Sequence, residues 1–255
     1  MFLEERLEFI DSLPSLPKES LRTFMYEPAS APLHDINKPT ASVLPGTIDA
    51  YFPGVPQNVI DDVDLCKLIM QNAASKKFPE DDRLFEWYKY YVDGLANLGW
   101  VIQNKHMQET TLRKIGLTMD MVALEVARGL IGKDAALLAN IAKKAVETVQ
   151  SSQKSIEIFD KEHKLGKQAK FDIAPVWLDT AGSPNMILNC ISLDARESTR
   201  GILFWKSTKQ STSVKTGAVR TYLNLKTFSL ISDNLYAKYS ANSKKFIDQL
   251  PDLDF

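Results

Sequence analysis

The feature that most constrains this chain is a change of hydrophobic period close to residue 150. Up to that point apolar residues recur at three- and four-residue steps, the spacing that gathers side chains on one face of an α-helix. Beyond it the sequence falls into short runs rich in β-branched and aromatic residues, divided by turn-forming residues, which is how strands read. A helix-forming part followed by a strand-forming part predicts an α+β fold, or two adjoining domains. The expected organisation is short helices and a proline-rich strap over 1–57, a helical bundle over 58–150, and over 151–255 an antiparallel β meander with a C-terminal helix packed on it. The three can form one continuous domain.

The strongest helical pattern lies between Thr118 and Gln150, broken at Gly132. Met119, Val122, Val126 and Leu130 share a face before the break, and Leu137, Leu138, Ile141, Ala145 and Val149 share one after it. Thr118 and Asp134 suit the N-cap position, where a side-chain oxygen accepts from first-turn amides. Further helices are expected over 2–11, 18–26, 58–76 and 81–104, the last carrying Trp87, Tyr88 and Tyr91 on a broad apolar face. Such an aromatic stripe reads first as core. Between 28 and 56, six prolines with Gly46 and Gly54 forbid regular helix. The stretch also holds Val43, Leu44, Ile48, Tyr51 and Phe52, so it reads as an extended strap lying across the body.

In the second part, SIEIFDKEH, KFDIAPVWLD, NMILNCISLD, TRGILFWKS and VKTGAVRTYLNL are the five expected strands, with Asp179–Asn185 as a hairpin turn. A helix over 226–250 closes the chain, with Phe228, Ile231, Leu235, Tyr239, Phe246 and Ile247 able to cover a sheet face.

The chain's net charge is −1, which gives no case for nucleic acid. Residues 1–150 carry about −5 and residues 151–255 about +4, a mild asymmetry that mutual attraction of the two parts explains. Cys66 and Cys190 stand among apolar residues and read as buried thiols, with a single bridge between them left open. The opening MFLEERLEFI has acids where a signal peptide needs basic residues. Cytoplasmic synthesis without a removable leader is expected, and a signal-independent export route is compatible with that.

No catalytic or cofactor motif emerges. His34, His106 and His163 have no metal-ligand spacing to one another or to a cysteine. VWLDTAG at 176–182 looks like a GTPase DxxG turn, but GLIGKDA at 129–135 has the wrong glycine spacing for a phosphate loop. Asp179-Thr180 also lacks the glycine and the second copy that an aspartic-protease pair needs. The acids of 160–163 and 194–199 have no partner that sequence can place.

Two features point to binding. Lys161, Lys164, Lys167 and Lys170 at three-residue steps, with Lys206 and Lys209, can form a basic surface beside Trp177 and Trp205. Lysine with tryptophan suits a lipid headgroup interface, although solvated turns are the plainer reading. The helices around Gly132 are rich in small residues, which permit close helix packing and also recur in helices that enter membranes. Cys190 is a site for an acyl chain or, in its strand context, a buried thiol. Helices preceding a β-rich portion are similar in layout to some bacterial protein toxins and virulence factors, a likeness of architecture with no motif behind it. The expected function is a non-enzymatic effector or toxin-like virulence protein associating with membrane lipid. The alternatives are a soluble module binding a partner protein or an apolar ligand, and a hydrolase.

Overall fold

The structure, a computed structural model, describes residues 2–16, 35–79, 83–112, 116–123, 135–160, 168–194, 202–204, 206–207 and 212–247. At its centre is a six-stranded sheet of β1 (Thr40–Leu44), β2 (Thr47–Tyr51), β3 (Trp100–Leu112), β4 (Gln168–Leu178), β5 (Pro184–Asp194) and β6 (Thr212–Leu223). Their order across the sheet is β1-β2-β4-β5-β6-β3. β2 and β4 run parallel, with Thr47 opposite Asp172, and the other neighbours are antiparallel.

The α+β class holds, with helices ahead of the β4–β6 meander and helices after it. The sheet itself is mixed and takes three strands from the first 112 residues. The proline-rich strap supplies two of them. TASVL and TIDAY form a hairpin across Pro45-Gly46, and all ten strand residues are buried. Pro39 precedes β1, Pro45 sits in the turn, and Pro53 and Pro56 follow β2, so no proline removes a ladder amide. Polar and apolar residues alternate along TIDAY and the first four residues of TASVL, but runs of five set among prolines are short for a strand pattern.

The helix expected over 81–104 ends at Asn97, and β3 starts at Trp100 and runs on to Leu112. Gly99 takes φ +97°, a left-handed conformation that ends the helix and turns the chain into the strand. SIEIFDKEH is helical, not extended, as far as Asp160. Gln153–Asp160 is helical, with Ser155, Ile158 and Phe159 buried at helical spacing, since so short an apolar run fits either period. TRGILFWKS contributes a 3₁₀ turn, Ile202–Phe204, and otherwise lies largely outside the described residues. The last helix is two, Leu225–Ser229 and Ser232–Ile247, and Phe228, Ile231, Leu235 and Tyr239 are buried as expected. The helix expected over 18–26, Gly132, Asp134 and most of the small-residue stretch lie outside the described residues.

The helices are α1 (Leu3–Ser12), α2 (Gln57–Lys77), α3 (Leu84–Asn97), α4 (Ala135–Ser151), α5 (Gln153–Asp160), α6 (Leu225–Ser229) and α7 (Ser232–Ile247). Side chains alternate between the two faces of a strand. Thr47, Asp49 and Tyr51 of β2 face α2. Ile48 and Ala50 face the other way and are equally buried, with α4 packed against β2. A single apolar core joins Ile10 of α1, Met70 of α2, Leu95 of α3, Val219 of β6 and Leu235 of α7. α3 lies close on the sheet because Gly217 carries no side chain. A Cβ there would come within 2.5 Å of the Tyr88 ring.

Candidate functional site

Asp64, Lys67 and Gln71 stand at i, i+3 and i+7 on α2, one helix face, and that face looks onto β1, β2 and β4. Lys67 Nζ donates to Asp49 of β2 and, at 2.9 Å, to Asp172 Oδ2 of β4. Asp64 Oδ1 accepts from Ser42 Oγ at 2.7 Å and from Tyr51 Oη at 2.6 Å. Asp172 Oδ1 accepts the Asn189 backbone amide at 2.7 Å. Gln71 Nε2 donates to Thr47 Oγ1. Asp49, Asp64 and Lys67 are at most 1% exposed and Asp172 is 7% exposed, so three carboxyls and one ammonium share a space closed to water.

Burial disfavours each charged form, and three acids to one base leaves the cluster with excess negative charge. Burial pushes the Asp49 carboxyl up to about 6 against the opposing pull of Lys67. It pushes Asp64 well up, with the Asp49 charge adding to the shift, and raises Asp172 in spite of Lys67. Burial alone would lower Lys67, but Asp172 and Asp49 outweigh it and its net shift is upward. The lysine is therefore a held cation with no tendency to serve as a base. Among the described residues no group of three or more His, Cys, Asp or Glu can hold a metal ion.

Beside the cluster, between α3 and β4, opens a pocket of about 30 Å³, the room of about two water-sized groups. Trp87, Tyr88 and Tyr91 of α3 with Phe171 of β4 make its aromatic wall, the β1–β2 turn closes one side, and Gln71, Asp172, Lys170 and Cys190 complete it. The Trp87 and Tyr91 rings stack at 5.2 Å, and Lys170 Nζ lies 5.1 Å from the Trp87 ring centroid. Gln71 Oε1 and Tyr91 Oη, both buried, have no hydrogen-bond partner among the described residues.

Of the sequence candidates, the structure brings Lys170 and Cys190 together at this pocket. Cys190 is a free buried thiol, as is Cys66, and burial pushes the Cys190 thiol up, away from the reactive thiolate. Trp177 lies elsewhere on β4, half-buried, 6.5 Å from the Phe52 ring and 5.8 Å from the Arg220 guanidinium. Lys206 is exposed and bridges Thr118 through its backbone. Lys161, Lys164, Lys167, Trp205 and Lys209 lie outside the described residues. Asp179 caps the expected hairpin, accepting from the Ala181 and Ser183 amides at 2.9 Å each. Sequence reasoning missed Asp49, Asp64, Lys67, Gln71 and Asp172. The available signal was α2 itself, where three polar residues at helical spacing interrupt an apolar helix on its buried side.

No family model matches the chain, and no curated protein matches it. Among solved structures, the Evf virulence factor is similar to it with a TM-score of 0.40 and 12% identity, over 80% of this chain and 87% of that one. A delta-endotoxin is similar with a TM-score of 0.39 and 8% identity, over 78% and 88% of the two chains. At these scores neither likeness carries a functional argument.

Proposed function

We propose that this chain is a non-enzymatic, lipid-associating protein of the effector or toxin-like kind, and that the pocket between α3 and β4 is where it meets lipid. The observation that carries the reading is the pairing of an aromatic wall with a half-exposed lysine, Lys170, at its rim. Aromatic rings suit the membrane–water interface, and a long lysine side chain reaches from an apolar surface to headgroup phosphate. The sealed charge cluster supports the non-enzymatic part. Its lysine and two of its acids are shut off from any substrate, and its fourth member is committed to Lys67 and to the Asn189 amide. No described helix is long and apolar enough to cross a membrane.

Liposome flotation with anionic vesicles, together with dye leakage, tests the proposal. Co-flotation that weakens with salt is the expected result. Protein left wholly in the soluble fraction, with no leakage, ends it. A soluble module for a small ligand is the second reading, favoured by the two buried polar atoms that face the pocket without partners. Binding of such a ligand would raise the unfolding temperature in the absence of any vesicle.

A further inference from the structure

Two buried polar atoms without partners on the wall of one pocket need an explanation, because an unsatisfied buried group is costly and rare. With its Nε2 on Thr47, Gln71 presents its oxygen, which can only accept, and Tyr91 Oη can accept as well. Gln71 Oε1 therefore lacks a donor, and Tyr91 Oη can take a second N–H while its own O–H stays free to give. The acid behind the pocket favours a cation, since Asp172 belongs to both the Lys67 cluster and the pocket wall. The aromatic wall favours the same sign. Ring faces attract cations, and the Lys170 ammonium already lies over Trp87 at the rim. The volume sets the size, as about 30 Å³ takes a group as small as –NH₃⁺ and not a trimethylammonium.

We propose that the pocket between α3 and β4 binds a primary alkylammonium group, whose N–H donors are taken by Gln71 Oε1 and Tyr91 Oη. The inference deepens the lipid reading and rests on the same pocket. A primary ammonium reaches it from a free amine or from an aminophospholipid headgroup, and Lys170, a cation at the mouth, competes with either.

Isothermal titration with n-butylammonium tests the site on the intact chain, against n-butanol and tetramethylammonium as controls. Butylammonium binds at least tenfold more tightly than either control. Tyr91→Phe weakens butylammonium binding fivefold or more without lowering the unfolding temperature, because it also removes a buried orphan hydroxyl. Lys170→Ala tightens binding, and because Lys170 is half-exposed that variant keeps its fold. Vesicles with phosphatidylethanolamine in place of phosphatidylcholine retain more protein if the amine comes from lipid. Equal retention with butylammonium bound in solution assigns the site to a free amine, and either result supports the pocket's chemistry. Butylammonium that fails to bind both the parent chain and Lys170→Ala, or binds no better than butanol, overturns the inference. Flotation onto anionic vesicles free of amine lipid reports separately on the lipid reading, which can stand when this inference falls.

Discussion

Asp49 gives the sharpest account of what the buried cluster costs. Its carboxyl titrates near 6 in the fold and near 3.8 when exposed. A folded-state value above the unfolded one means that the folded chain binds the proton more tightly, so acidification stabilises the fold through this group. The gain starts as pH falls through 6 and is complete below the unfolded value. Between pH 7.5 and pH 5 it amounts to about 1 kcal/mol from Asp49 alone. Asp64 and Asp172 are raised as well and act in the same direction. Asp49→Asn keeps the shape and removes the titration. Urea unfolding of the two proteins at pH 7.5 and pH 5 checks the reasoning. The parent chain should gain stability on acidification, and the variant should gain about 1 kcal/mol less. A parent chain that loses stability across this window, or a variant with the same gain, refutes it.

Lys67→Met leaves Asp49 and Asp172 without their cation and should cost about 3–5 kcal/mol at pH 7.5, and clearly less at pH 5 where the acids take up protons; paired urea titrations measure both. Gly217→Ala drives a methyl group into the Tyr88 ring and should destabilise by about 1–3 kcal/mol through displacement of α3, read as a lower unfolding temperature. Tyr236→Phe removes the 2.7 Å hydrogen bond to Asp62 that ties α7 to α2, and near-neutral stability should fall by about 1–2 kcal/mol. Burial pushes Asp62 up to about 6 although this bond opposes it, so the loss should shrink at pH 5 as the carboxyl is protonated.

Much of the frame was legible in the residues. The 3.6-residue period marked α1, α2, the body of α3 and α4, and the short β-branched and aromatic runs between turns marked β4, β5 and β6. The β1–β2 hairpin was hidden because its two alternating runs are only five residues long and are set among six prolines, which argue against regular structure. β3 was hidden because Ile102 continues the apolar face of α3. Leu98-Gly99 is the stop signal that separates them, a glycine where a left-handed residue is required. The pocket was half legible. Lys170 and Cys190 stood out by type, and Trp87, Tyr88 and Tyr91 by their stripe, but their convergence depends on a parallel pairing of β2 with β4 that spans more than a hundred residues. The charge cluster was legible only as the polar face of α2 formed by Asp64, Lys67 and Gln71, because nothing in the sequence sets that face against Asp49 of β2 or pairs β2 with the strand that carries Asp172.

The account turns on Lys170 at the rim of an aromatic pocket meeting a lipid surface. A charge near an anionic membrane is worth about 1 kcal/mol, so Lys170→Glu should cost about 2 kcal/mol of binding, roughly 30-fold in the vesicle partition coefficient. Flotation of the parent chain and of Lys170→Glu over phosphatidylglycerol vesicles measures that ratio directly. Binding by the parent chain that falls by about this factor in the variant is the predicted result. Equal partitioning of the two proteins, or no partitioning of the parent chain, contradicts it.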